Sequence, residues 1–174
     1  MEVSCRQSGT MTFYRHLGIN FPLLGIFELF DVDTSYVLNT FGNLQLERRF
    51  HTAFKFDLDY EVLYLDFDDT LIVDNKVCDV IIRLVYQALN EGKKIVLLSR
   101  HEKESITDAL ERYRISPNIF ERIYQLTFDE SKINYINPDN AIFIDNSFAE
   151  RKEVNNRYGI PVFDVDMVDM LIRE

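Results

Sequence analysis

From Tyr60 onward the chain alternates between two hydrophobic rhythms. The runs "EVLYLDF", "KKIVLLSR" and "NAIFIDNS" are continuously apolar before they turn polar, as strands buried on both faces of a parallel sheet are. "RIYQLTF" reads as a shorter strand and "IPVFDVD" as the last one. Between them the period changes. "DVIIRLVYQALNEG" places Val80, Ile81, Leu84, Val85, Ala88 and Leu89 on one helical face, with Gly92 as a stop. "EKESITDALERYR" and "FAERKEVNNRYG" read as further helices, "ESKINYI" as a helical turn, and "MVDMLIRE" as a short final helix. Strands alternating with helices through right-handed crossovers predict a three-layer α/β/α parallel sheet of Rossmann-like type. Ligands in such sheets bind beyond the carboxyl ends of the strands.

The first third has a different texture. Over residues 27–56 the pattern reads as β structure, with "SYVLNT" and "LQLERRF" flanking a turn at "FGN". The expected organisation is an N-terminal extension, residues 1–58, whose hairpin packs on a core domain of residues 59–174.

Composition narrows the function. The 174 residues are 47% hydrophobic and 13% aromatic, enough for one ordinary domain with a real core. A formal charge of -10 excludes a general nucleic-acid binder, which needs a basic surface. No apolar run reaches the length of a membrane span, and the start lacks the apolar stretch of a secretion signal. Cys5 and Cys78 lie far apart in no metal-ligand pattern, with Cys78 in an apolar periodic segment. These features lead to the expectation of a cytoplasmic protein.

The candidate chemistry lies at the predicted strand ends. The first strand runs into Asp66 and Asp68, the next ends at Ser99, and the fourth delivers Asp145, Asn146 and Ser147, with Lys132 between. Clustered carboxylates repel unless a cation, a proton or a substrate offsets them. Acids, a hydroxyl and an amine converging at one sheet edge are what phosphoryl transfer to a carboxylate requires. An oxygen-rich cluster of this kind suits Mg²⁺.

"LYLDFDDTLI" resembles the first motif of the haloacid dehalogenase (HAD) superfamily, an apolar strand ending in D-x-D-x-T. "IVLLSR" resembles its second motif, Lys132 falls where the third-motif lysine is expected, and "AIFIDNS" resembles the fourth. The likeness spans residues 61–174. It implies a Mg²⁺-dependent phosphatase that hydrolyses a phosphomonoester through an aspartyl-phosphate on Asp66. By the same resemblance Asp68 is the acid and base, and Ser99 and Lys132 hold the phosphoryl group. Thr70 supports the loop, and Arg100 contacts substrate. Asp66, the Asp68 carbonyl and Asp145 hold the metal, with Asn146 standing where a second acid is common. Only short segments fill the two places where the family inserts caps, so the resemblance implies a capless member. An open site of that kind suits a phosphorylated small molecule or macromolecule, or a partner protein that completes it. The C-terminal stretch also resembles bacterial HAD proteins that accompany ATP-grasp ligases.

The competing reading is a regulatory or binding module that keeps the fold and works through a partner; the open site, the N-terminal third and Asn146 leave room for it, while the presence of Asp66, Asp68, Ser99, Lys132 and Asp145 together argues against it. Among neighbouring residues, Asp74 and Asn75 read as a solvated turn and His101 as a surface residue at a helix start. Asp129 reads as a helix cap, Asp164 and Asp166 as an exposed acidic loop, and Glu150 as an exposed helix residue.

Overall fold

The computed structural model describes residues 14–15, 17–33, 45, 57–102 and 104–173. The chain divides into two compact units, Met1–His51 and Thr52–Glu174. In the first unit, helix α1 spans Phe21–Leu29. The Asn20 side chain caps it by accepting from the Leu23 amide at 3.3 Å, and Pro22 occupies the first turn, where no amide donor is needed. Phe27, expected to begin β structure, lies in the last turn of this helix instead: the cap and Pro22 start a helix that aromatic content alone does not disclose. The hairpin expected over residues 35–50 lies outside the described residues, Gln45 apart.

The second unit is the predicted α/β sheet. Its strands are β1 (Val62–Leu65), β4 (Lys94–Ser99), β5 (Arg122–Gln125), β6 (Ala141–Ile144) and β7 (Val162–Phe163). They form one parallel sheet in the order β5-β4-β1-β6-β7. A two-stranded antiparallel hairpin, β2 (Ile72–Val73) and β3 (Lys76–Val77), follows β1. Helices α2 (Asp79–Asn90), α3 (Ile106–Arg112) and α4 (Phe148–Tyr158) connect the strands. Three 3₁₀ segments, Pro117–Ile119, Lys132–Tyr135 and Val165–Leu171, complete the described elements.

Alternation along each strand divides the core into two layers. Leu63, Leu65, Ile95, Leu97, Ile142 and Ile144 face α2, α3 and the C-terminal 3₁₀ segment. Tyr64, Val96, Leu98 and Phe143 face Val154 of α4 and Ile136 beyond the Lys132 segment. With both faces covered, the central strands need the unbroken apolar runs seen in the sequence. The same topology puts the carboxyl ends of β1, β4 and β6 side by side, since Leu65 is in register with Leu97 and with Ile144.

Candidate active site

The first polar residues after β1 and β6 meet at that edge. The Asp66 amide donates to the Ile144 carbonyl at 3.0 Å, and the Asp145 amide to the Phe163 carbonyl at 3.2 Å, so both residues extend the ladder by one step. Their side chains are nearly sealed from water, 7% and 1% exposed. Lys132, buried in the 3₁₀ segment that faces α4, lies between them. Its Nζ donates to Asp66 Oδ1 and to Asp145 Oδ2, each at 2.6 Å. The other oxygens are also held. Thr70 Oγ1 is 3.3 Å from Asp66 Oδ2, and the Ser147 amide donates to Asp145 Oδ1 at 2.7 Å. Ser99, at the end of β4, is buried, and its hydroxyl helps to hold the Asp66 carboxyl down.

The electrostatics follow from counting charges. Two buried carboxylates face one ammonium, which leaves one negative charge in excess. Burial pushes the Asp66 carboxyl upward, while Lys132 and the hydrogen bonds of Lys132 and Ser99 oppose it. Burial and the charge of Asp66 push Asp145 up to about 6, against the pull of Lys132. Burial lowers Lys132, but the two carboxylates outweigh it and hold the ammonium above its usual range. The site is therefore short of positive charge.

Thr70 joins the first and fourth motifs. It is fully buried, its Oγ1 accepts from the Asn146 amide at 3.1 Å, and Asn146 Oδ1 lies 3.4 Å from the same hydroxyl. Arg151 of α4 donates to the Asp145 carbonyl at 2.6 Å and pairs with Asp164 at 2.5 Å, tying the helix to the strand end. Asp164, read from sequence as part of an exposed acidic loop, caps the last 3₁₀ segment and anchors Arg151. At the Lys132 segment the cap position is held by Ser131, not Asp129.

Three readings change at the rim. Arg100 lines the cleft beside the site, but its Nε and Nη2 donate to the Glu130 carbonyl at 3.1 and 2.7 Å. Its Nη1 pairs with Glu150 at 2.5 Å, so the guanidinium, expected to contact substrate, is engaged within the protein. Glu150 is accordingly neither an exposed helix residue nor directed at the carboxylates. His101 is buried, not a surface residue, and its Nδ1 lies 2.8 Å from Asp68 Oδ2. No sequence periodicity marked it; the only signal was its place two residues after a strand-end serine. Asp74 and Asn75 form the β2–β3 turn as expected, both exposed and left-handed (φ 50° and 57°), and both line the cleft.

Mg²⁺ fits the donor set. Among the described residues no three carboxylate, imidazole or thiol side chains form a ready-made metal cluster. A cation would draw on the carboxylates of Asp66 and Asp145, the Asp68 carbonyl and the Asn146 amide oxygen. All are hard oxygens, and a small divalent ion that keeps several waters needs few protein ligands. The excess negative charge supplies the electrostatic reason to bind one.

No family model matches the chain, and no curated protein is similar to it in sequence. Among solved structures it is similar to the N-terminal part of a Bacteroides fragilis protein, which contains a phosphatase domain and was crystallised with Mg. The TM-score is 0.53 at 19% sequence identity, covering 65% of this chain. The core shares the parallel α/β fold of that structure. The likeness spans only 38% of the length of that Bacteroides structure. Looser similarity links the chain to an uncharacterized Listeria monocytogenes protein, with TM-score 0.48, 17% identity and coverage of 60% of this chain and 77% of that one. A HAD-like hydrolase from Streptococcus pneumoniae follows, with TM-score 0.41, 16% identity and coverage of 55% and 51%. Neither of these two carries weight here. On this core, Asp66 and Asp145 directly follow β1 and β6, Ser99 ends β4, and Lys132 opens the 3₁₀ segment before β6.

Proposed function

We propose that the protein is a Mg²⁺-dependent phosphatase that hydrolyses a phosphomonoester through an aspartyl-phosphate on Asp66. The observation that carries this reading is the buried Asp66–Lys132–Asp145 cluster at the carboxyl edge of the sheet. A structural ion pair needs only one carboxylate for its lysine. A second buried acid with nothing to neutralise it is costly unless the site has a cationic or phosphorylated guest.

When bound, Mg²⁺ would shield the incoming phosphoryl oxygens and lower the repulsion between substrate and carboxylates. The protein's own residues do the rest. Lys132 and the Ser99 hydroxyl hold the phosphoryl group against Asp66, and Thr70 keeps the loop of Asp66 against Asn146. An Asp66 oxygen bonds to phosphorus as the ester P–O bond breaks, and Asp68 gives its proton to the leaving oxygen. Asp68, now a carboxylate, takes a proton from the water that attacks phosphorus, which releases inorganic phosphate and restores Asp66.

Access supports a capless reading. The interval after the first motif holds only the β2–β3 hairpin, and Ser99 to Lys132 holds α3, a 3₁₀ turn and β5. A cleft of about 820 Å³ opens beside the site, with Asp68, His101, Tyr113 and Phe128 among its lining residues. It has room for the non-phosphate part of a substrate. Among the described residues no helix is long and apolar enough to cross a membrane. Phosphate release from a panel of phosphomonoesters, with Mg²⁺ and with EDTA, tests the reading. Release from at least one ester is expected only with metal and only from protein that retains Asp66. Asp66→Asn turning over as fast as wild type would overturn it.

A further inference from the structure

The buried imidazole of His101 is the feature of the site that the mechanism above does not use. Its ring is 4% exposed, packed edge-on against Phe67 at 5.2 Å between centroids. Its carbonyl accepts from Gln125 Nε2 at 2.6 Å, and Gln125 Oε1 in turn accepts from the Ile106 amide at 3.0 Å. Backbone and ring are thus fixed from two strand ends and a helix start. Among the described residues the ring makes one polar contact, Nδ1 to Asp68 Oδ2 at 2.8 Å, and Nε2 is buried without a partner. With no acceptor near Nε2, the ring's hydrogen is assigned to Nδ1, which can donate to Asp68 Oδ2 whether Oδ1 carries a proton or not.

Asp68 needs such a support. Its side chain is 46% exposed on a loop whose next residue, Asp69, is left-handed at φ 53°. Unheld, a half-exposed carboxylate samples several rotamers, and only some face the leaving oxygen. We infer that His101 is a positioning residue: its Nδ1–H clamps Asp68 Oδ2 so that Oδ1 delivers the proton to the leaving group. The inference rests on the phosphatase reading and deepens it. A core imidazole with no polar duty would be better replaced by an apolar ring, since burying an unpaired nitrogen carries a desolvation cost.

The consequence is a dependence on leaving group. As the ester bond breaks, the proton on Asp68 Oδ1 passes to the departing oxygen; a nitrophenolate needs that proton little, a phenolate more. The test measures kcat/KM, which reports transfer to Asp66, for p-nitrophenyl phosphate and phenyl phosphate. His101→Phe keeps the ring packing and removes the donor. It is expected to lose about 10- to 100-fold on phenyl phosphate, with less than about 3-fold lost on p-nitrophenyl phosphate. His101→Asn, whose amide reaches the Nδ1 position, is expected to recover most of the loss, and His101→Gln, which reaches the Nε2 position, is not. Binding of beryllium trifluoride with Mg²⁺ is expected to stay at wild-type affinity in His101→Phe, which also reports that the variant folds. Equal losses on both esters, no loss on phenyl phosphate, or equal rescue by Asn and Gln would overturn the inference. Activity that survives Asp66→Asn would instead bring down the phosphatase reading beneath it.

Discussion

Replacing Lys132 with Met removes the ammonium that lies 2.6 Å from both Asp66 and Asp145, and keeps a side chain of similar length in a site 3% exposed. The cluster then changes from one excess negative charge to two. The cost has a ceiling, because a carboxylate that cannot be neutralised by a partner takes up a proton. Holding a group of ordinary pKa about 3.9 protonated at pH 7 costs about 4 kcal/mol at 1.36 kcal/mol per unit. That agrees with the roughly 3–5 kcal/mol typical of breaking a buried pair from one side. The sign of the pH dependence is fixed. In the variant the folded-state carboxyl pKa lies above its unfolded value, so the folded chain binds more protons and gains stability as pH falls toward about 4. The loss at pH 7 is therefore expected to shrink by between about 1 and 3 kcal/mol at pH 5. Urea unfolding followed by far-UV circular dichroism, in EDTA, measures it. Asp145→Asn, which leaves one carboxylate facing one ammonium, is expected to be as stable as wild type or more so. The double variant is expected to recover most of the loss from Lys132→Met. A Lys132→Met chain within about 1 kcal/mol of wild type at pH 7, or equally destabilised at both pH values, would refute the charge-excess argument.

Other expectations concern the fold around the site. Tyr60 is 5% exposed with its hydroxyl buried and unpartnered among the described residues, so Tyr60→Phe is expected to stabilise by about 1 kcal/mol in urea unfolding. Burial, with the charge of Glu91, pushes the Tyr60 phenol up to about 12. Wild type therefore loses stability as pH rises from about 10, the unfolded value, through 12, and Tyr60→Phe is expected to lack that part of the alkaline loss. Gly159 closes α4 at φ 68°, and a Cβ there would meet open space. Gly159→Ala is therefore expected to cost about 1 kcal/mol, all of it conformational, with activity unchanged. Leu84→Ala, in the fully buried face of α2, is expected to cost about 2–5 kcal/mol by the same unfolding measurement.

The sheet was legible because each central strand is an unbroken apolar run, and the first polar residue after such a run has to emerge at the sheet edge. That reasoning placed Asp66, Ser99 and Asp145 together, and the resemblance to the third motif added Lys132, which the structure sets between the two acids. What escaped it are interactions between side chains distant in sequence. Arg100 and Glu150 are 50 residues apart, and each alone reads as a charged surface or substrate-facing residue; only the fold pairs them. His101 escaped for a related reason. Its neighbours Arg100, Glu102 and Lys103 are all charged, which reads as surface, whereas the chain turns its ring inward against Phe67 and Asp68. Helix α1 escaped because nine residues that include seven large or cyclic apolar side chains have no helical stripe to detect.

The central claim is that Asp66 accepts a phosphoryl group, and it can be tested without knowing the substrate. Beryllium trifluoride bound to a carboxylate mimics its phosphorylated form, and fluorine NMR in the presence of Mg²⁺ reads that complex directly. The account expects bound-state fluorine resonances in wild type, their loss on chelating Mg²⁺, and none in a folded Asp66→Asn variant. Folded wild-type protein that shows no bound resonance at saturating Mg²⁺, or an Asp66→Asn variant that keeps it, would contradict the account.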